Sequence, residues 1–413
     1  VIDKEILLIA RNFPPMGGVG TRRWSKFCKH LANRGYTIHV ITINYKNIDT
    51  VNWLHDVQHP NIIIHRLKGI YPNWLLRHKK RGFFEKKTYE IFRLIYQFKC
   101  NWMDNAQGWE SQLIPYARKL IKSKSLKNVI VTAAPCSVAY MASIIKVENP
   151  NINLIVDFRD KWNDEPQYAY GSAIKSFAKK EKAVNMELQT MLHADKIVVT
   201  TESIKKAFSS IYKTCQDKYV VIHNGYDTDE YLTTNTELNT NKDVLNIVYF
   251  GSLLGQKHLA IDLLAKAIKK LDDPFFTHQF KVDIYGIPAA NYSNPIPDIV
   301  RYKPLINPKE IAATLSKYQC GLSILDPHQS DFIGSKAFDY MATNKAILHI
   351  SNGGDLFELL EKENQYCSNF KLDELVETLL KLKVDFENKQ LKQGDFKAFD
   401  ISKLTSKYEQ LFV

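Results

Sequence analysis

The stretch that decides the fold is "ILLIARNFPPMGGVGTRRW", Ile6–Trp24. Its first five residues, Ile6–Ala10, are all apolar and predict a buried β-strand. The segment "TRRWSKFCKHLANRG" that closes it predicts an amphipathic helix with Trp24, Phe27 and Leu31 on one face. Between them, "FPPMGGVG" holds two prolines and three glycines in eight residues, more than a plain turn needs. Glycine removes Cβ and admits φ > 0, so backbone N–H groups can approach an anion, and the helix N-terminus adds a partial positive charge. Gly17, Gly18 and Gly20 are therefore candidate ligand-binding residues; a glycine-rich turn without a ligand is the alternative. The G-G-x-G spacing argues against a dinucleotide fingerprint, and no acid clearly ends the second strand.

The same strand–helix alternation runs along nearly the whole chain. "IHVITI", "NIIIHRL", "VIVTAA", "LIVDF", "KIVVTT" and "YVVIHNG" continue the first half. "NIVYFGSL", "KVDIYGI", "IVRYKPL", "CGLSILD" and "AILHIS" follow in the second. Strands apolar on both faces and separated by helices predict parallel sheets covered on both sides. Polar "DTDEYLTTNTELNTNKD" divides the halves and reads as a linker. The fold class is thus α/β with two doubly wound, Rossmann-like domains. In such sheets ligands sit off the carboxyl ends of strands, which points to the residues that follow each strand.

With 413 residues the chain is too long for one ordinary core. Hydrophobic content of 45% and charged content of 24% are those of a soluble globular protein. No apolar run approaches the ~18 residues of a membrane span. The acidic start "VIDKEILLIA" reads as a strand, not a secretory signal. The six cysteines are scattered, without C-x-x-C pairs or zinc spacing, as expected of reduced thiols in a cytoplasmic protein.

The most specific stretch is "LDPHQSDFIGSKAFDYMATNKAILHIS". Asp331 and Asp339 stand eight apart, with Gly334, Ser335 and Lys336 between them. Ser335 suits a helix N-cap. Lys336 follows in the first turn, where the helix dipole disfavours a cation, so a base there suggests a bound anion. Asp339 lies one turn on and can accept from two vicinal hydroxyls, as on a ribose. The cluster reads as hydroxyl acceptor, phosphate cradle, hydroxyl acceptor. A capped surface helix with incidental charges is the competing reading.

In order along the chain, "FPPMGGVG…R", "DFRDKW", "VIHNGYD", "IVYFGSL" and "SKAFDYMATNKAIL" resemble glycosyltransferase family 4, and the resemblance covers essentially the whole chain. That family comprises retaining enzymes of the GT-B fold, many of which build bacterial surface polysaccharides such as capsule or O-antigen of lipopolysaccharide. The resemblance implies an acceptor-side domain over 1–227, a linker over 228–243 and a nucleotide-sugar-binding domain over 244–395, with a cleft between the domains. It further implies a helix over 396–413 that crosses back to the first domain. Asp339 would hold the donor ribose, Asp331 the transferred sugar, and Gly334 to Lys336 the diphosphate. The family usually has two glutamates where this chain has aspartates. Gly17, Gly18 and Gly20 would face the diphosphate and acceptor.

"FGSLLGQK" departs from the pattern: an arginine commonly follows this glycine, whereas Ser252 follows Gly251 here, and Lys257 fits a later lysine. Arg22 or Arg23 is a candidate substitute; a solvated position on the helix is the alternative. In "DFRDKW", Arg159 and Asp160 are candidates for sugar or acceptor contact, or a buried pair bracing the loop. Asn224 and Gly225 resemble the turn that leads to the hinge. "DTD", Asp227 to Asp229, lies at a domain end, which argues against a metal-binding D-x-D; the expected cofactor is none beyond the nucleotide sugar as co-substrate, and no metal.

Net charge is +12, and residues 66–99 carry ten bases against two acids, or +8. Trp74, Phe83, Phe84, Tyr89, Phe92 and Tyr96 interleave with those bases. Such a segment suits an anionic membrane surface; an ordinary amphipathic helix packed on its own domain is the alternative. Nucleic acid is not an expected partner, because no groove-reading or single-strand motif accompanies the charge. The expectation is a hexosyl- or N-acetylhexosaminyl-type transferase (EC 2.4), peripheral at the inner face of the cell membrane. It would use a nucleotide-sugar donor and a lipid-linked saccharide acceptor. A non-catalytic sugar-nucleotide-binding or scaffold protein and a soluble protein glycosyltransferase are the rival readings.

Overall fold

The computed structural model describes residues 3–44, 53–69, 82–99, 104–106, 108–163, 177–231, 243–286, 293–328 and 333–413. The chain forms two compact units, Val1–His223 with Thr405–Val413, and Asn224–Leu404.

In the first unit the strands are β1 (Glu5–Ile9), β2 (Thr37–Ile43), β3 (Ile62–Leu67), β4 (Asn128–Ala133), β5 (Asn153–Phe158), β6 (Lys196–Val199) and β7 (Tyr219–Val221). They form one seven-stranded sheet in the order β3-β2-β1-β4-β5-β6-β7. Every pair is parallel. Helices α1 (Val19–Asn33), α2 (Phe83–Lys99), α3 (Glu110–Lys124), α4 (Ser137–Glu148), α5 (Phe177–His193) and α6 (Glu202–Ile211) alternate with them. All six residues of β4 and of β5 are buried, the pattern of central strands covered on both faces.

Trp24, Phe27 and Leu31 are buried on one stripe of α1, which docks that helix on the sheet. Arg23, next to them, reaches Asp157 of β5 with Nε and Nη2, both at 3.0 Å. Trp24 Nε1 donates to the same carboxylate at 2.6 Å. Nη1 and Nη2 of Arg23 also donate to the carbonyls of His223 and Ile222. Arg23 is therefore a buried brace, not the substitute phosphate ligand that the sequence allowed.

The second unit repeats the plan. Strands β8 (Leu245–Phe250), β9 (Phe280–Tyr285), β10 (Val300–Lys303), β11 (Cys320–Ile324), β12 (Ala346–Ile350) and β13 (Tyr366–Ser368) form a six-stranded sheet in the order β10-β9-β8-β11-β12-β13. Its pairs are also all parallel. The helices are α7 (Leu259–Leu271), α8 (Pro274–His278), α9 (Ile311–Leu315), α10 (Ser335–Ala342), α11 (Asp355–Lys362), α12 (Leu372–Glu387) and α13 (Ile401–Glu409). The last of these begins in the second unit and ends in the first.

Gly225 is the second residue of the second unit, and a Cβ there would strike the carbonyl of Phe399. That close approach lets Tyr226 and residues 399–401 pair as a short parallel bridge, with Tyr226 N donating to Phe399 O at 3.1 Å and Ile401 N to Tyr226 O at 2.8 Å. Thr405–Val413 then complete the first unit. Tyr408 takes a hydrogen bond from Arg23 Nη2 at 2.9 Å and packs edge-on against Trp24 and Phe27. Asn128 at the start of β4 exchanges two hydrogen bonds with the backbone of Val413.

Candidate functional site

Each sheet reverses direction between its first and fourth strands, β1/β4 in one unit and β8/β11 in the other. Loops diverge there at the carboxyl ends, which is where doubly wound sheets bind ligands. The sequence candidates within the described residues collect at these two places.

In the second unit, Gly251 leaves β8 at φ +148°, and its N–H bonds the Tyr285 carbonyl at 2.9 Å. Ser252 is exposed, and its carbonyl accepts from the Tyr249 hydroxyl at 3.0 Å. Lys257 is half-buried five residues further on. Burial lowers its ammonium below the ordinary value, and the charge of Asp326 opposes that shift.

Across the switch point, β11 leads to α10. The cap position of α10 is Gly334, not the expected Ser335, which is the first helical residue. No side chain caps the helix, and its first turn holds no acid. The Ala337 N–H bonds the Gly334 carbonyl at 3.1 Å; among the described residues no side chain takes the N–H groups of Ser335 and Lys336. A Cβ at Gly334 would meet only Leu325 at 3.7 Å, so space alone does not require glycine there.

Tyr340 fixes the position of this helix. Its hydroxyl donates to the carbonyls of Val248 in β8 and Leu322 in β11, each at 3.1 Å. Its ring lies where a Cβ at residue 321 would stand, which is why β11 carries Gly321. One turn from Ser335, Asp339 is only 2% exposed and accepts from the Tyr231 hydroxyl. Asp331 lies outside the described residues.

In the first unit, the loop after β1 leads through Gly17 to Gly18, the cap of α1, at φ +112° with open space around a would-be Cβ. This helix too has neither a side-chain cap nor an acid in its first turn. At Gly20 a Cβ would collide with the guanidinium of Arg159, so here glycine makes room for an arginine. Arg159 Nη2 donates to Ala134 O at 3.3 Å, just past β4, and the Arg159 carbonyl accepts from Thr200 Oγ1 at 2.9 Å. Its Nε is buried without a partner among the described residues. Asp160 follows; burial raises its carboxyl above the ordinary range, and the charge of Arg159 opposes this. In "DFRDKW" the bracing partner is therefore Asp157, Trp162 is core, and Arg159 and Asp160 stand at the end of the strand.

Sequence reasoning missed several contributors. Arg66 Nη2 donates to the Pro14 carbonyl at 2.8 Å, so one base of the charged segment braces the glycine loop. Tyr231 and Asp326 were also missed; an acid directly after an apolar strand was the available signal for Asp326.

No family profile and no curated sequence matches the chain. Solved structures do. A glycosyltransferase from Rickettsia africae is similar over 98% of this chain and 97% of its own, with a TM-score of 0.61 and 14% identity. Anabaena HepE, solved in complex with UDP-glucose, is similar over 98% of both chains, with a TM-score of 0.60 and 13% identity. WaaG, a glycosyltransferase involved in lipopolysaccharide biosynthesis, is similar over 99% of both, with a TM-score of 0.55 and 12% identity. The chain has the GT-B fold. The expected pair of doubly wound domains is thereby borne out, and the likeness extends over both units together.

No described helix is long and apolar enough to cross a membrane. The basic segment is described in part: residues 70–81, with Trp74, Arg77, Lys79, Lys80 and Arg81, lie outside the described residues. Several apolar side chains of α2 are open to solvent. Phe84 is 84% exposed, and Ile91, Phe92, Leu94 and Ile95 are exposed as well.

Proposed function

We propose that this chain is a retaining glycosyltransferase that moves a hexosyl or N-acetylhexosaminyl group from a nucleotide sugar to a lipid-linked saccharide in surface polysaccharide biosynthesis. The observation that carries the reading is the N-terminus of α10, which no described side chain caps, with Lys336 in its first turn after β11 and Lys257 in the loop after the adjacent strand β8. Positive groups and helix N-terminal N–H donors at that place suit a leaving diphosphate. The GT-B fold and the resemblance to family 4 support the same assignment.

In this reading the second unit holds the donor. Gly251, Ser252 and the Gly334–Lys336 turn cradle the diphosphate, Asp339 accepts from the ribose, and Asp331 contacts the transferred sugar. As the glycosidic bond breaks, Lys257, Lys336 and the α10 N–H groups stabilise the charge that develops on the diphosphate. A donor phosphate oxygen takes the acceptor's proton on the face where the new bond forms, which retains configuration. The first unit receives the acceptor, with Arg159 and Asp160 beside the glycine loop of Gly17, Gly18 and Gly20. No metal or further cofactor is invoked. The exposed apolar and basic face of α2 supports peripheral attachment to the cytoplasmic face of an anionic membrane.

The test is a screen of UDP-, GDP-, ADP- and CMP-sugars by thermal shift, then by nucleotide release. A donor at 100 times its Kd should stabilise by about 2.7 kcal/mol. Release of nucleoside diphosphate, unchanged in EDTA, is expected. Stabilisation without release would identify a non-catalytic binder. Release abolished by EDTA and restored by magnesium or manganese would overturn the metal-free mechanism.

A further inference from the structure

Lys257 belongs to an exposed loop, yet the loop is tied down at one point. Asp326, the second residue after β11, is 7% exposed. Its Oδ2 accepts from the backbone N–H of Gln256 at 2.8 Å, and its Oδ1 from that of His328 at 3.1 Å. Gly255 lies over the same carboxylate at φ +69°, and a Cβ there would stand 2.5 Å from Oδ2. One carboxylate thus joins the loops that follow the two strands flanking the switch point, and it does so at the residue next to Lys257.

The electrostatics agree with that geometry. Burial alone would raise the Asp326 carboxyl, but the N–H groups of Gln256 and His328 and the charges of His328 and Lys257 hold it below its ordinary value. It is therefore an anion at neutral pH, beside an ammonium that burial would otherwise discharge more readily. The two N–H groups bond different oxygens, and an asparagine has an acceptor at only one of those places and is neutral.

We propose that Asp326 is a positioning residue for Lys257, holding the Gly255–Lys257 turn against the loop after β11 so that the ammonium stays fixed and charged where a donor phosphate binds. The proposal rests on the reading of Lys257 given above. It adds that the lysine acts only while Asp326 holds it.

The experiment measures kcat and donor KM for nucleotide release from pH 6 to 10 in the full chain, for Asp326→Asn, Gly255→Ala, Lys257→Ala, Lys257→Arg and the pair Asp326→Asn with Lys257→Arg. Asp326→Asn is expected to lower kcat about tenfold or more with little change in KM. Its alkaline limb should move to lower pH, because Lys257 loses the opposing charge. The other titratable groups beside this turn are His258, whose ring lies against the Gly255 carbonyl, and His328, whose backbone N–H bonds Asp326. Pairing Asp326→Asn with Lys257→Arg should return the alkaline limb to that of Lys257→Arg alone, since a guanidinium stays charged.

Gly255→Ala displaces the turn while keeping both charges, so it should lower kcat without moving the limb; it also serves if Asp326→Asn fails to fold. An Asp326→Asn protein with the parental pH profile and kcat, beside an inactive Lys257→Ala, would overturn the positioning role and leave the donor-site reading standing. A fully active Lys257→Ala would overturn both.

Discussion

The Tyr231 hydroxyl donates to Asp339 Oδ1 at 2.6 Å, from a segment more than one hundred residues away in sequence. A carboxylate that is 2% exposed needs such donors, because a buried charge without them is costly. The bond also fixes which way Asp339 faces as it leaves α10. Asp339→Asn should therefore raise donor KM by roughly ten- to a hundredfold, about 1.5–3 kcal/mol, with a smaller effect on kcat. Tyr231→Phe keeps the charge and should raise KM by about tenfold or less. An unchanged donor KM in folded Asp339→Asn removes this residue from the site.

Lys336 behaves differently from Asp339. A cation in the first turn of α10 opposes the helix dipole, so Lys336→Ala should leave the apo melting temperature unchanged or slightly raised. With donor saturating, kcat should fall about 10²-fold, as when one oxyanion-type donor is removed. Combining it with Lys257→Ala should lose less than the product of the two, if both serve one diphosphate. Near-parental kcat with a lowered melting temperature would make the lysine structural.

Gly20 and Arg159 form a pair that single substitutions can separate. A methyl at residue 20 would collide with the guanidinium, so Gly20→Ala must push Arg159 aside. Gly20→Ala and Arg159→Ala should each reduce acceptor-dependent transfer about tenfold or more, and the double variant should be no worse than either. Simple multiplication of the two losses would show that the glycine acts on its own.

Vesicle binding tests α2. Replacing Ile91, Leu94 and Ile95 with serine, together with Lys86→Gln and Lys87→Gln, should sharply reduce co-sedimentation with anionic vesicles. In the parent, salt should weaken the binding, because screening cuts the attraction of exposed bases to anionic lipid. Donor hydrolysis in solution should be unaffected. Equal co-sedimentation of variant and parent would count against the membrane contact.

Acid should weaken the second unit through His349. This fully buried side chain sits between Ser323 Oγ at 3.1 Å and Ser351 Oγ at 2.9 Å. Burial lowers its pKa from 6.5 to about 3, with the hydrogen bond to Ser323 opposing. The unfolded chain then binds the extra proton between those values, so the contribution is complete above pH 6.5 and declines as pH falls towards 3. The slope is about 1.4 kcal/mol per pH unit. Urea titrations at pH 7 and pH 5 should show a loss in the parent about 2 kcal/mol larger than in His349→Leu. Equal losses would mean that His349 is charged in the fold.

Much of this architecture was legible in the sequence, because parallel central strands must be apolar on both faces. All seven runs of the first half became β1–β7, and the five of the second became β8–β12. The strand that escaped, Tyr366–Ser368, has three residues and too little pattern to register. Residue types made Lys336 and Asp339 candidates, and the resemblance to family 4 made Lys257 and Arg159 candidates. What stayed hidden was pairing. Nothing local shows that Gly20 yields space to Arg159, that Arg23 is spent on Asp157, or that Tyr231 reaches Asp339. Each of these joins segments that only the folded sheet brings together.

The division of the first unit between residues 1–223 and 405–413 sets an order of assembly on the ribosome. Tyr408 covers the buried Arg23–Asp157 pair, and Asn128 awaits the backbone of Val413, but both are synthesised after all of residues 224–404. The contiguous second unit can close as soon as its own chain emerges, whereas the half made first is completed last. Its central strands must wait, nearly built, through the synthesis of a whole neighbouring domain. Through that interval the first unit's apolar strands are made but not yet closed by its last segment.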